Sequence, residues 1–121
     1  MKIFLLRTIC TLAAWLPLAA QDKSSPPGPG HPFVCTDYTQ GKVFVVSAGG
    51  KVTWEYPAKD CNDVWALPNG NLLFNTGHGV VEVTRDKRVV FSYESASDIY
   101  ACQRLPNGNT FIGECSSGRL L

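Results

Sequence analysis

The sequence predicts an all-β fold assembled from propeller blades of four antiparallel strands, and three observations carry that expectation. The pentapeptide "LPNGN" stands at Leu67–Asn71 and again at Leu105–Asn109, 38 positions apart. The stretch "GKVTWEYPAKDCNDVW" (Gly50–Trp65) aligns with "DKRVVFSYESASDIY" (Asp86–Tyr100), pairing Val52 with Val89, Trp54 with Phe91, Tyr56 with Tyr93 and Asp63 with Asp98 at offsets of 35 to 38. The repeated part also consists of short apolar runs punctuated by Gly, Pro and Asn, with no amphipathic stretch of helical length. A unit of this size made of four short strands is a blade, whereas helical repeats of similar length need long amphipathic segments.

Taken in order, the chain opens with "MKIFLLRTICTLAAWLPLAAQ", in which Lys2 and Arg7 precede an apolar run from Ile9 to Ala20. A basic start, a short apolar core and small residues before polar ones make residues 1–20 a secretory signal peptide, with cleavage expected after Ala20 and an uncleaved anchor as the alternative. The apolar run is too short to span a bilayer easily, so no membrane span is expected once the signal is removed. "QDKSSPPGPGHP" (21–32) is rich in Pro, Gly and Ser without apolar periodicity and reads as an extended linker. The folded part, a partial propeller domain, is expected over 33–121. An exported chain of this kind belongs in the periplasm or outside the cell.

Within the folded part, "PFVCT", "KVFVVSA" and "KVTWEYP" supply the second, third and fourth strands of a first blade. Asp63–Leu67, Asn71–Thr76, Val80–Thr84 and Arg88–Tyr93 supply the four strands of a second, innermost strand first. "LPNGN" is the hairpin turn after the innermost strand: Pro68 presets φ for a type I turn, Asn69 tolerates the next position, and Gly70 takes the left-handed one that lets pairing resume. "KVFVV" and "NLLF" are apolar at successive positions, the pattern of strands covered on both faces. Trp54, Phe91, Tyr56 and Tyr93 fall at matching outer-strand positions and are expected to pack between blades. "SSGRLL" (Ser116–Leu121) matches "GHGVVEV" (Gly77–Val83), so about two blades are present. Because closed propellers need about four to eight blades, the expectation is a fragment of a larger propeller, closed by further blades or, alternatively, by self-association.

Composition narrows the function classes. The chain is 45% hydrophobic and 17% charged, with a formal net charge of +1 and no basic run or basic–aromatic stripe, so a nucleic-acid partner is not expected. No Ser–His–Asp set, phosphate-cradling glycine loop or dinucleotide fingerprint is present. There is no Cys-x-x-Cys or His-x-x-x-His spacing, and His31 and His78 have no sequence-adjacent ligand partners. His78, between two glycines, is expected in an exposed turn. Neither a metal nor an organic cofactor is expected.

Four cysteines follow the signal segment: Cys35, Cys61, Cys102 and Cys115. An even number in an exported chain allows two disulfides in three pairings. Cys35 and Cys115 fall at matching second-strand positions two blades apart, which disfavours their pairing. Cys61 and Cys102 lie on or beside innermost strands of neighbouring blades and rank first. The same strands point to a ligand surface at the channel mouth formed by Asn62, Asp63, Asp98, Tyr100 and Glu114. Asp63 and Asp98 recur in both copies, which favours a structural role as acceptors for backbone amides. Asn62 and Glu114 differ between copies and are freer to be specific.

"SAGGKVTWEY" (Ser47–Tyr56) resembles the "D-x-x-G-K-x-x-W-x-Y" signature of pyrroloquinoline-quinone-type propeller repeats, the quinoprotein alcohol dehydrogenase-like family. Ser47 stands at the aspartate of that signature; the second copy, "EVTRDKRVVFSY", keeps Asp86 and has Phe91 for Trp. The resemblance implies the propeller fold. It does not carry the redox cofactor, because the adjacent-cysteine disulfide and the other cofactor contacts of the quinone enzymes are absent from this chain. "DCNDVWALPNGNLLF" (Asp60–Phe74) also resembles the bacterial arylsulfotransferase propellers, in which a histidine before such an aspartate does the chemistry. Here Asn62 and, in the next copy, Ser97 occupy that place, and neither can act as a histidine nucleophile. The expectation is an exported binding or scaffold module for a small-molecule or carbohydrate-like ligand or a protein. A propeller enzyme, arylsulfotransferase-like or quinone-dependent, with its catalytic residues on other blades is the alternative.

Overall fold

The computed structural model describes residues 30–121, so the signal peptide expected over 1–20 and most of the expected linker lie outside the described residues. Within them the chain is all-β, with ten strands and no helix. β1 (Phe33–Asp37), β2 (Lys42–Val46) and β3 (Val52–Pro57) form one antiparallel sheet in chain order. β4 (Val64–Ala66), β5 (Leu72–Asn75), β6 (Gly79–Val83) and β7 (Val89–Glu94) form a four-stranded second, and β8 (Ile99–Arg104), β9 (Thr110–Glu114) and β10 (Arg119–Leu120) a third. None of the three closes into a barrel.

What assembles these sheets is the burial of β5. Its residues Leu72, Leu73, Phe74 and Asn75 are all 0% exposed, which a strand achieves only when both of its faces are covered. Successive side chains point to opposite faces, and the two cores divide accordingly. Leu72 and Phe74 pack with Val43, Ala58, Cys61 and Val83 against the first sheet, while Leu73 packs with Val80, Ile99, Cys102 and Ile112 against the third. Each Val, Leu, Ile or Phe side chain withdrawn from water here contributes about 1.5–3 kcal/mol.

The expected aromatics lie between sheets. Trp54 stacks on Tyr56 with ring centroids 5.8 Å apart, and Tyr56 meets Phe74 at 5.6 Å in a tilted pair. Trp54 Nε1 donates to the Arg85 carbonyl at 2.8 Å, and the Arg85 guanidinium lies 5.9 Å from the same ring. Phe91 and Tyr93 pack at the corresponding place on the second core.

Both "LPNGN" segments form the turn their residues specify. Gly70 N donates to Leu67 O and Gly108 N to Leu105 O, each at 2.9 Å, while Leu67 and Leu105 pair with Asn71 and Asn109. Gly70 and Gly108 take φ of 85° and 87°. Asn69 and Asn107 side-chain oxygens accept from the amides of Asn71 and Asn109 at 3.0 Å, an Asx-type closure that explains the asparagine before each glycine.

The turns after β2 and β6 share one geometry and correct the sequence alignment there. Ser47 and Thr84 open them, each side-chain oxygen accepting an amide four residues on, from Lys51 and Arg88. Thr84, not Asp86, therefore occupies the place of Ser47, and Lys87 occupies that of Gly50. Lys87 takes φ of 65° where Gly50 takes 76°, a left-handed conformation that costs an L side chain about 1–2 kcal/mol. A second correction concerns the cysteines: Cys35 lies half-buried inside β1, whereas Cys115 is exposed one residue beyond β9, so they do not occupy matching positions.

Lys87→Gly is expected to raise stability by up to about 1 kcal/mol, the relieved strain exceeding the entropy cost of glycine. Gly70→Ala, at a site where a Cβ meets nothing within 4 Å, is expected to lose about 1 kcal/mol from backbone strain alone. Urea denaturation of the two variants should give shifts of opposite sign.

Candidate functional site

The residues expected at the channel mouth lie at one end of the sheets, where β4 and β8 begin, and most of them are held by internal hydrogen bonds. The organising group there is Asn75, at the end of the buried run "LLFN". Its Oδ1 accepts from the amides of Asn62 at 2.8 Å and Asp63 at 2.9 Å, and its Nδ2 donates to the carbonyls of Asp60 at 3.2 Å and Ile99 at 2.6 Å. All four hydrogen-bonding positions of the carboxamide are used. One side chain thereby joins the loop entering β4 to the first strand of the third sheet.

Asp63 continues the stitch. Its Oδ2 accepts from the Cys102 amide at 2.9 Å and from Trp65 Nε1 at 3.3 Å. The carboxylate thus serves as a backbone acceptor, for an amide of the next sheet rather than of its own incoming loop, and it also orients an indole. Asn62 is exposed, and its Nδ2 turns back to the Asp60 carbonyl at 3.1 Å. Asp98 is more open: Oδ2 accepts from Ser116 Oγ at 2.8 Å, and Oδ1 lies 3.6 Å from Nε2 of the exposed His78.

Glu114, expected at the mouth, is only 4% exposed. Oε1 accepts from Tyr93 Oη at 2.8 Å and Ser95 Oγ at 2.6 Å, and Oε2 from Ser117 Oγ at 2.6 Å, with Arg119 at 3.7 Å. The hydroxyls of Ser117, Ser95 and Tyr93 favour the ionised form against the opposing effect of burial, and the carboxyl is held down at about 2. Glu114 ties the end of β7 to the end of β9 and is not free to meet a ligand.

Tyr100 is 55% exposed and sits at a bulge, where the register of β8 against β9 shifts between Ile99 and Ala101. Tyr38 and Asp60 share this end of the molecule. The Asp60 carboxylate foremost, with desolvation and the neighbouring Tyr100 and Asp98, pushes the Tyr38 phenol above its usual value. Among the described residues, no group of three His, Cys, Asp or Glu is placed to hold a metal ion.

The Cys61–Cys102 disulfide expected from the sequence is not formed in the structure; Cys35, Cys61, Cys102 and Cys115 are free. Cys61 belongs to the core against the first sheet and Cys102 to the core against the third. Burial, foremost, pushes each of these two thiols up to about 12, so both are protonated and poorly nucleophilic at neutral pH.

At the opposite end of β5 stands a second polar knot, which sequence reasoning missed. Glu82 Oε1 accepts from Asn71 Nδ2 at 2.6 Å and Asn69 Nδ2 at 3.1 Å, and Oε2 accepts from Arg104 at 2.7 Å. Burial opposes the Glu82 charge, but these three partners outweigh it and hold the carboxyl below its ordinary value. Arg104 also donates to the Gly108 carbonyl at 3.1 Å and lies 5.1 Å from the Phe91 ring. Both "LPNGN" turns are therefore bound to one ion pair. Beside it, the first strands of the second and third sheets leave a cleft of about 370 Å³ lined by Trp65, Pro68, Gln103 and Pro106, with Arg104 itself in the lining. Trp65 is 42% exposed there.

A solved structure of a protein of unknown function from Bacteroides caccae is similar to this chain, with a TM-score of 0.62 and 23% identity over 73% of the chain. The chain spans 38% of the length of that structure. The likeness is one of fold. No protein-family model matches the chain, and no curated protein is similar to it.

The ionised Glu114 carboxylate stabilises the fold above the ordinary carboxyl value of 4.5, and that contribution is lost as pH falls through its folded value of about 2. The melting temperature of the wild type is expected to fall between about pH 4.5 and pH 2, and Glu114→Gln should fall less steeply over the same window. Thermal melts followed by circular dichroism across that range check both.

Proposed function

We propose that this chain is an exported, propeller-repeat binding or scaffold module, with the surface of β4 and β8 as its ligand face. In this reading the sheet ordered β4-β5-β6-β7 is one complete blade, with a neighbouring blade on each of its faces. The observation that carries the functional part is the exposure of Trp65 and Tyr100, which follow the recurring aspartates on the first strands of adjacent sheets. Large aromatics left in solvent beside polar groups are the composition of a recognition surface rather than of a core. The ligand classes that fit are a small or carbohydrate-like molecule or a protein segment.

Several of the groups able to do covalent chemistry are engaged elsewhere. The two buried thiols are protonated, and Asn62 and Ser97 are engaged in hydrogen bonds at the position where the arylsulfotransferase-like propellers carry histidine. One observation favours the enzyme alternative: His78 lies beside Asp98 at the same end as Tyr100.

A ligand-observed NMR screen of small polar molecules against the full chain tests the reading. At least one binder is expected, weakened about tenfold, or 1.4 kcal/mol, by the double variant Trp65→Ala/Tyr100→Ala. Binders indifferent to that variant, or turnover abolished by His78→Ala, would overturn it.

A further inference from the structure

The cleft between the two "LPNGN" turns carries a sharper assignment, which rests on the binding-module reading and names its ligand class. Trp65 forms one wall, and its Nε1 is already given to Asp63 Oδ2 at 3.3 Å. Asp63 is itself anchored by the Cys102 amide at 2.9 Å. The indole is thus held in one orientation with its donor spent, and what it offers a ligand is its apolar face. A platform fixed before binding loses little side-chain entropy when a ligand stacks on it.

The remaining walls point to the same chemistry. Pro68 and Pro106 stand in two turns of identical geometry, so the apolar sides of the cleft are rigid. Gln103 is exposed beside the cleft, and its carboxamide makes no hydrogen bond among the described residues; it offers both a donor and an acceptor. Arg104, which also lines the cleft, has its charge balanced by Glu82 and gives a second nitrogen to the Gly108 carbonyl, leaving only a buried Nε without a partner among the described residues. A ligand with a formal charge would find no free counter-charge in this lining. A volume of about 370 Å³ lies within the range of small-molecule sites, roughly 300–1,000 Å³.

We infer that this cleft binds a neutral sugar ring, stacked by its apolar face on Trp65 with its hydroxyls turned to the Gln103 carboxamide. The stacking face supplies most of the affinity and the carboxamide selects among hydroxyl arrangements.

Saturation-transfer NMR of the full chain with cellotriose, maltotriose and chitotriose is the test, with calorimetry for affinity. At least one trisaccharide is expected to bind, with strongest transfer to the protons of one ring face. Trp65→Ala should weaken it at least tenfold, and Gln103→Ala about three- to tenfold, with circular dichroism unchanged in both because the two side chains are exposed. Binding of sugar unaffected by either substitution overturns the assignment. If all three sugars are inert while another ligand binds through Tyr100, the sugar assignment fails and the binding-module reading stands. If nothing binds at either aromatic, both fail.

Discussion

The structure depends on one strand being clamped in four directions. β5 is covered on both faces by neighbouring sheets, and each of its ends is held by a polar group with its hydrogen bonds satisfied. At one end Asn75 joins the Asp60–Asp63 loop to Ile99. At the other, Asn71 helps bind Glu82, which in turn holds Arg104. Apolar burial supplies most of the stabilisation but is non-directional. The buried polar groups set the register in which one sheet lies on the next, because a slip would strand them without partners.

The two inter-sheet contacts use the same aromatic positions and different polar devices. Between the first and second sheets, Arg85 lies against Trp54 and accepts its indole hydrogen. Between the second and third, Arg104 reaches Phe91 from the first strand of the next sheet. The second and third sheets are stitched twice more, by Asn75 through the Ile99 carbonyl and by the carboxylate of Glu114 with the hydroxyls of Tyr93, Ser95 and Ser117. The polar equipment at this end is thus mostly consumed in holding sheets together. What is left over for recognition is aromatic surface: Trp65 and Tyr100 on the first strands, with Tyr38 near the second.

Much of the fold was legible in the sequence. The duplicated turn, the contiguous apolar runs and the recurring aromatics placed the strands to within a residue or two, since turn chemistry and strand periodicity are local properties. The alignment went astray at Thr84 because Asp86 and Lys87 look like the signature by residue type, while the chain uses Thr84 Oγ1 to close the turn. The site was less legible. Glu114 differs between copies and so resembled a ligand residue, although its difference reflects a different stitch. Asn75 was visible as a polar residue ending an apolar run, but its four partners come from two segments, the Asp60–Asp63 loop and β8, 12 or more residues away on either side. Arg104 sits in "CQR", the three residues by which β8 exceeds β4, and only the packing of β8 onto β6 and β7 reveals their use. Trp65 was read only as an aligned residue, since exposure is decided by what the opposite wall leaves open.

The central claim is that the Asn75 carboxamide, beyond apolar contact, fixes one sheet upon the next. Urea unfolding of Asn75→Asp tests it most directly, because the change keeps the shape and the oxygen that accepts from Asn62 and Asp63 but replaces the amino group whose two hydrogens go to the carbonyls of Asp60 and Ile99. The account predicts a loss of at least about 3 kcal/mol at pH 7, from two stranded carbonyls and a buried charge facing them. A loss below about 1 kcal/mol, with the amides of Asn62, Asp63 and Cys102 still protected from hydrogen exchange, would contradict it.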